Sequence, residues 1–267
     1  MINEVTAMIT INNETIATIP TLHVVKVDLQ DNKIPTIFFL HGYTSAKEHN
    51  LHVAYLLAEK GFRVFLPDAL HHGERETTLK GNKRDFSFWE IVLTSIKELD
   101  EMKTILTQRE IVDENRIGVI GTSMGAITMY GALTAYDWIK TAVSFMGTAY
   151  YETFAKAQLL MIEEKGIQLE PNAKEKVLNQ IRPYDLSAQL DKLAGRPLLI
   201  WHGKEDQVVP YPFSEKLYHE LVASYEHEPE HLQFLAEDKT AHKVTRQAVL
   251  RSVEWFEGHL LTSKVSS

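Results

Sequence analysis

The chain of 267 residues contains no cysteine. That absence excludes disulfides, a thiol nucleophile and thiolate metal sites. It leaves the compartment open, since secreted chains also do without cysteine. Basic charge is scarce: 28 Lys and Arg stand against 36 Asp and Glu, a net charge of -8. Phosphate binding needs a concentrated basic surface, and here the basic residues are scattered among acids, so no nucleic-acid partner is expected. No run reaches the roughly 18 apolar residues of a membrane helix, so no membrane partner is expected. The opening residues MINEVTAMIT have neither a basic start nor a continuous apolar stretch. They do not read as a signal peptide, and a cytoplasmic protein is expected. Asn13-Glu14-Thr15 fits the glycosylation pattern, but without a secretion signal it reads as chance.

What is present is an ordinary globular balance, 44% hydrophobic and 24% charged. The length suits one domain over 1–267, as a monomer or homodimer. Met8 to Ile11 and Glu14 to Ile19 surround a turn signal at Asn12-Asn13, and Leu22 to Val27 is a further extended run. These predict antiparallel strands at a sheet edge. Thr36 to Leu40, Phe62 to Leu66, Ile117 to Ile120, Thr141 to Phe145 and Leu198 to Trp201 are continuous apolar runs. Such runs predict parallel strands buried on both faces. Leu232 to Leu235 predicts a last strand.

Between the runs lie helical patterns. Ser45 with Glu48 reads as a capping box opening a helix to Lys60, with Gly61 as its stop. Val92, Ile96, Leu99, Met102 and Leu106 mark one face of a long amphipathic helix. Lys216 to Val222 lies in another, and Val249, Val253, Phe256 and Leu260 mark one near the C-terminus. Alternating strands and helices imply a doubly wound, mostly parallel sheet, and right-handed crossovers place ligands along its C-terminal edge. Residues 150–190 break the alternation with helical patterns and no strand. The expectation is a helical lid insertion over the strand ends, with Tyr150, Tyr151 and Phe154 as candidate pocket residues.

Gly121-Thr122-Ser123-Met124-Gly125 follows one predicted strand and precedes a helical run, Ala126 to Ala135. That setting is what a nucleophile elbow requires. The tight turn excludes bulk at Gly121 and Gly125 and lifts the Ser123 hydroxyl to a helix N-terminus, where developing negative charge is favoured. A serine hydroxyl needs a base, and the base needs an acid to fix its tautomer. Asp206 and Glu205 both lie in the loop that follows the strand ending at His202-Gly203. His242 lies between the last strand and the last helix, on the edge that carries the elbow. His227 and His231 precede that strand and belong at its other end. An oxyanion needs two fixed donors, expected at the backbone N–H of Met124 and of Tyr43, whose ring also stands as a pocket candidate.

Asp68-Ala69-Leu70-His71-His72-Gly73 invites a metal reading. Neighbouring histidines on an irregular loop rarely aim at one centre, so loop hydrogen bonding is the reading preferred, and no metal or other cofactor is expected. Trp89, Trp138, Trp201 and Trp255 read as core.

These motifs together, from His41-Gly42 through Pro67-Asp68, the elbow and His202-Gly203-Lys204-Glu205-Asp206 to His242, cover essentially the whole chain. It resembles the α/β-hydrolase branch of dienelactone hydrolases, prolyl-oligopeptidase-like domains and small bacterial esterases. The resemblance implies an α/β-hydrolase fold with the triad Ser123, Asp206 and His242, and it favours Asp206 over Glu205. It implies a serine hydrolase acting on a small-molecule ester, a carboxylesterase for small or medium acyl esters. Peptidase, lactonase and acyltransferase are alternatives on the same triad, and a non-catalytic binding protein is a remote one. Dienelactone hydrolases carry cysteine where this chain has Ser123, so that activity is not expected, and no propeller domain is expected beside the hydrolase part, which weakens a peptidase reading.

Overall fold

The computed structural model describes residues 8–76, 87–167 and 172–261. Eight strands form one sheet: β1 (Ile9–Ile16), β2 (Ile19–Lys26), β3 (Ile34–Leu40), β4 (Arg63–Pro67), β5 (Val112–Thr122), β6 (Thr141–Phe145), β7 (Leu198–Gly203) and β8 (Leu232–Glu237). Their order is β1-β2-β4-β3-β5-β6-β7-β8. The β1–β2 and β2–β4 pairs are antiparallel and the rest parallel. The parallel registers pair Leu40 with Gly121, Thr122 with Phe145, Phe145 with Trp201, and Gly203 with Glu237. The C-terminal ends of β3, β5, β6, β7 and β8 therefore lie along one edge.

Among the described residues seven α-helices cover the sheet: α1 (Leu51–Glu59), α2 (Phe88–Gln108), α3 (Met124–Ala135), α4 (Tyr151–Glu164), α5 (Ala173–Ile181), α6 (Pro212–Leu221) and α7 (Arg246–Phe256). Successive strand residues point to opposite faces. Phe38 and Val119 join the core under α2 to α6, while Ile37, Phe39 and Ile120 join the core under α1 and α7. Both faces are thus buried, the physical reason the parallel strands read as unbroken apolar runs.

Two local expectations are overturned. Asn12-Asn13 is not a turn: β1 runs through it, pairing Asn12 with His23 and Asn13 with Leu22. The turn lies at Ala17-Thr18, both with positive φ, 50° and 68°, as a two-residue hairpin closing with the strand twist requires. Ser45 does not cap a helix, because its hydroxyl meets His49 Nδ1 at 3.1 Å. A 3₁₀ turn (Lys47–Asn50) comes first and α1 begins only at Leu51. Gly61, at φ 98°, does end that helix.

Residues 150–190 hold α4, α5 and a series of 3₁₀ turns, with no strand among the described residues. α5 packs on α2, and the turns from Arg182 to Leu193 pack on α3. No helix among the described residues is long and apolar enough to cross a membrane.

Candidate active site

The elbow connects β5 to α3 at Ser123, whose φ of 53° and ψ of -114° lie in a sparsely populated region. Surrounding packing fixes that conformation. The Ser123 N–H donates to Phe145 O at 2.8 Å and its carbonyl accepts from Ile127 N at 2.9 Å. A Cβ on Gly121 would overlap the Gly125 backbone, and one on Gly125 would overlap the Leu40 carbonyl. Strand and helix touch there at backbone distance.

Ser123, His242 and Asp206 come together although 119 and 36 residues separate them in sequence. His242 Nε2 lies 2.8 Å from Ser123 Oγ, and His242 Nδ1 lies 2.6 Å from Asp206 Oδ2. A carboxylate only accepts, so Nδ1 carries the proton and Nε2 is left to accept from the serine hydroxyl. Asp206 is shut away from solvent, while the His242 side chain is 22% exposed. Asp206 Oδ1 accepts from Val208 N at 2.8 Å and Val209 N at 3.1 Å. Burial alone would raise this carboxyl's pKa, but donors from His202, His242 and Val208 outweigh it and hold the group far below the ordinary carboxylate range.

The loop carrying His242 sits directly on β7. Lys204 N donates to Glu237 O at 2.9 Å and Glu205 N to Thr240 O at 3.0 Å. A Cβ on Gly203 would overlap the carbonyl oxygens of Thr240 and Ala241. The rivals lie elsewhere: Glu205 is exposed, the His227 side chain is 93% exposed, and His231 bonds Gly195 O at the opposite end of β8.

The loop after β3 lies against the elbow: a Cβ built on Gly42 would stand 3.6 Å from Ser123 Cβ. Met124 is the first residue of α3, so its N–H has no carbonyl one turn back to satisfy it. Two buried histidines fasten this loop. His41 bonds Gly42 O through Nδ1 at 2.8 Å and accepts from Ala69 N at Nε2. His72 bonds Leu70 O through Nδ1 at 2.8 Å and accepts from Thr44 N at 3.2 Å. Asp68 is buried and accepts from Lys47 N, Lys47 Nζ and Glu74 N. Among the described residues no group of three His, Cys, Asp or Glu is arranged to hold a metal ion.

The pocket candidates divide. Tyr43, Phe154 and Tyr150 belong to a chain of rings in which centroid separations are 6.0 Å for Tyr43–Phe88, 6.2 Å for Phe88–Phe154, 6.3 Å for Phe154–Phe213 and 5.7 Å for Phe213–Tyr150. Tyr150 donates to Glu220 Oε2. Tyr151 is a correction: it is wholly buried, lies against Trp89 and Gly131, and donates its hydroxyl to Ile127 O. It anchors α4 in the core. Phe88 and Phe213 were missed in the sequence, although Phe213 follows the loop after β7 and so had to lie near the site's edge.

The prolyl oligopeptidase family model matches residues 92–262, a stretch that includes Ser123, Asp206 and His242. YitV of Bacillus subtilis (strain 168), provisionally named an esterase, is 48% identical over 255 residues, covering 95% of this chain and 100% of YitV. Esterase YjfP of Escherichia coli (strain K12) is 31% identical over 254 residues, with 95% and 100% covered. The crystal structure of TT1662 from Thermus thermophilus superposes with a TM-score of 0.73 at 22% identity, covering 96% of this chain and 100% of the other, a likeness of fold. With family model, full-length relatives and fold in agreement, this chain belongs to the prolyl oligopeptidase family and has the α/β-hydrolase fold.

Proposed function

We propose that the protein is a serine carboxylesterase in which Ser123 is the nucleophile, His242 the base and Asp206 the acid. The observation that carries this is the unbroken line of two hydrogen bonds from Ser123 Oγ through His242 to Asp206. Ser123 Oγ attacks the ester carbonyl and passes its proton to His242 Nε2. The imidazolium is stabilised by Asp206 and returns the proton to the leaving alcohol. Water, activated by the same ring, then releases the acid. The N–H groups of Met124 and Tyr43 hold the oxyanion. Both esterase-named relatives, matched over their full length, support this reading over a peptidase.

Tyr43, Phe88, Phe154, Phe213 and Tyr150 wall an apolar pocket for the acyl or alcohol part. Residues 150–190 act as a cap over the strand ends, anchored at Tyr151 and contributing Tyr150 and Phe154 to that wall. A fluorophosphonate should label Ser123 in the wild type. Ser123→Ala should abolish labelling and lower kcat on a short p-nitrophenyl ester by about 10⁴-fold or more, with the melting temperature unchanged. Activity surviving that change would refute the assignment.

A further inference from the structure

His202 closes the strand that leads to Asp206, yet the acyl-transfer steps above make no use of it. It is wholly buried. Its Nε2 faces two acceptors, Asp206 Oδ2 at 3.1 Å and Val209 O at 2.8 Å. Neither can donate, so Nε2 carries a proton. Its Nδ1 lies 2.7 Å from Ser214 Oγ on α6. That hydroxyl has one other partner, Gly147 O, at the marginal distance of 3.4 Å. Ser214 thus holds the ring from its far side, with the Nε2 proton turned to Asp206 and Val209.

Asp206 Oδ2 is therefore shared. It accepts from His242 Nδ1 on one side and from His202 Nε2 on the other, while Oδ1 is committed to two backbone N–H groups. The charge that stabilises the His242 imidazolium is divided between two rings. The groups facing His202 are Asp206, Ser214 and Tyr211, whose ring centroid is 6.0 Å away and whose hydroxyl is turned to Glu215. Beyond Asp206 stands His242.

We propose that His202, oriented by Ser214, is a positioning residue that fixes the Asp206 carboxylate and sets how strongly it draws on the proton of His242. This rests on the triad reading. Removing the His202 donor leaves Oδ2 to His242 alone. Asp206 then swings more freely, and the imidazolium is bound more tightly at rest. The first effect lowers kcat. The second raises the pH below which the base is protonated.

The experiment measures kcat, KM and the pH profile of kcat/KM on a short p-nitrophenyl ester for wild type, His202→Phe, His202→Gln and Ser214→Ala, with melting temperatures alongside. His202→Phe should lower kcat about 10–100-fold with KM nearly constant, the range seen when a group orienting a functional residue is lost. Its acid limb should move up by about half a pH unit. His202→Gln keeps an N–H near the position of Nε2 and should restore both kcat and the limb most of the way. Ser214→Ala should shift the limb the same way by less. If His202→Phe does not fold, Ser214→Ala decides, and an unmoved limb there overturns the proposal. A folded His202→Phe with an unmoved limb overturns it too, as does a His202→Gln that loses as much as His202→Phe. Activity surviving Ser123→Ala defeats the triad reading itself, a separate and distinguishable failure.

Discussion

His41 and His72 each commit both ring nitrogens to the backbone of the loops that flank the elbow. For His41 the consequence is thermodynamic. Burial, first of all, pushes its pKa from 6.5 down to about 4, with His72 and His49 adding repulsion and the Gly42 carbonyl and Asp68 opposing. The folded state therefore prefers the neutral ring more strongly than the unfolded chain does. Its contribution is fully present above pH 6.5 and is lost as pH falls from there toward about 4. The whole shift corresponds to about 3 kcal/mol. The urea midpoint should drop through that window, and His41→Gln should drop less steeply. Parallel slopes for the two proteins would remove His41 as the source. At this scale the meeting of Ser123, Asp206 and His242 was legible in the sequence, because a tight turn, a strand end and a chain order constrain where they lie. The sequence left His202 silent, since a histidine closing a strand reads the same whether or not it touches the acid. It also misplaced Tyr151, because an aromatic after a strand end turns to the pocket or to the core according to helices far away in sequence.

Among the elements, the parallel strands were the most legible, and β6 was read to the residue. A strand covered on both sides has to be apolar throughout, so its sequence carries its environment. The edge hairpin was not legible. β1 is paired on one side only and alternates between exposed and half-buried residues, so Asn12-Asn13 carries no structural demand. The turn instead forces Ala17 and Thr18 into positive φ, a conformation that disfavours side chains with a Cβ. Replacing Ala17-Thr18 by Asn-Gly should raise stability by about 1 kcal/mol, read as a higher melting temperature with activity intact. A lower melting temperature would contradict the assigned turn.

Across the whole molecule, the sheet's edge brings Ser123, His242 and Asp206 together, and a chain of aromatics from four separate regions packs beside them, the proposed wall of the pocket. Tyr43 comes from the loop after β3, Phe88 opens α2, Phe154 belongs to α4, and Phe213 lies at the start of α6. Only tertiary packing gathers them, which is why Phe88 and Phe213 escaped a reading along the chain. Phe154→Ala and Phe213→Ala should each weaken kcat/KM for medium-chain esters about 10-fold, through 1–2 kcal/mol of lost apolar contact, and leave acetate esters nearly unaffected. An unchanged chain-length profile would place the acyl group elsewhere.

Gly203 gives the assembly an unexpected gauge. The segment that bears the imidazole rests on its bare α-carbon, pressed there by the carbonyls of residues 240 and 241. The gap between the Ser123 hydroxyl and the His242 ring is thus set by a methyl group that is not there. Any side chain at 203, however small, would act as a shim under the segment, prying the imidazole of His242 from the hydroxyl of Ser123 without touching either.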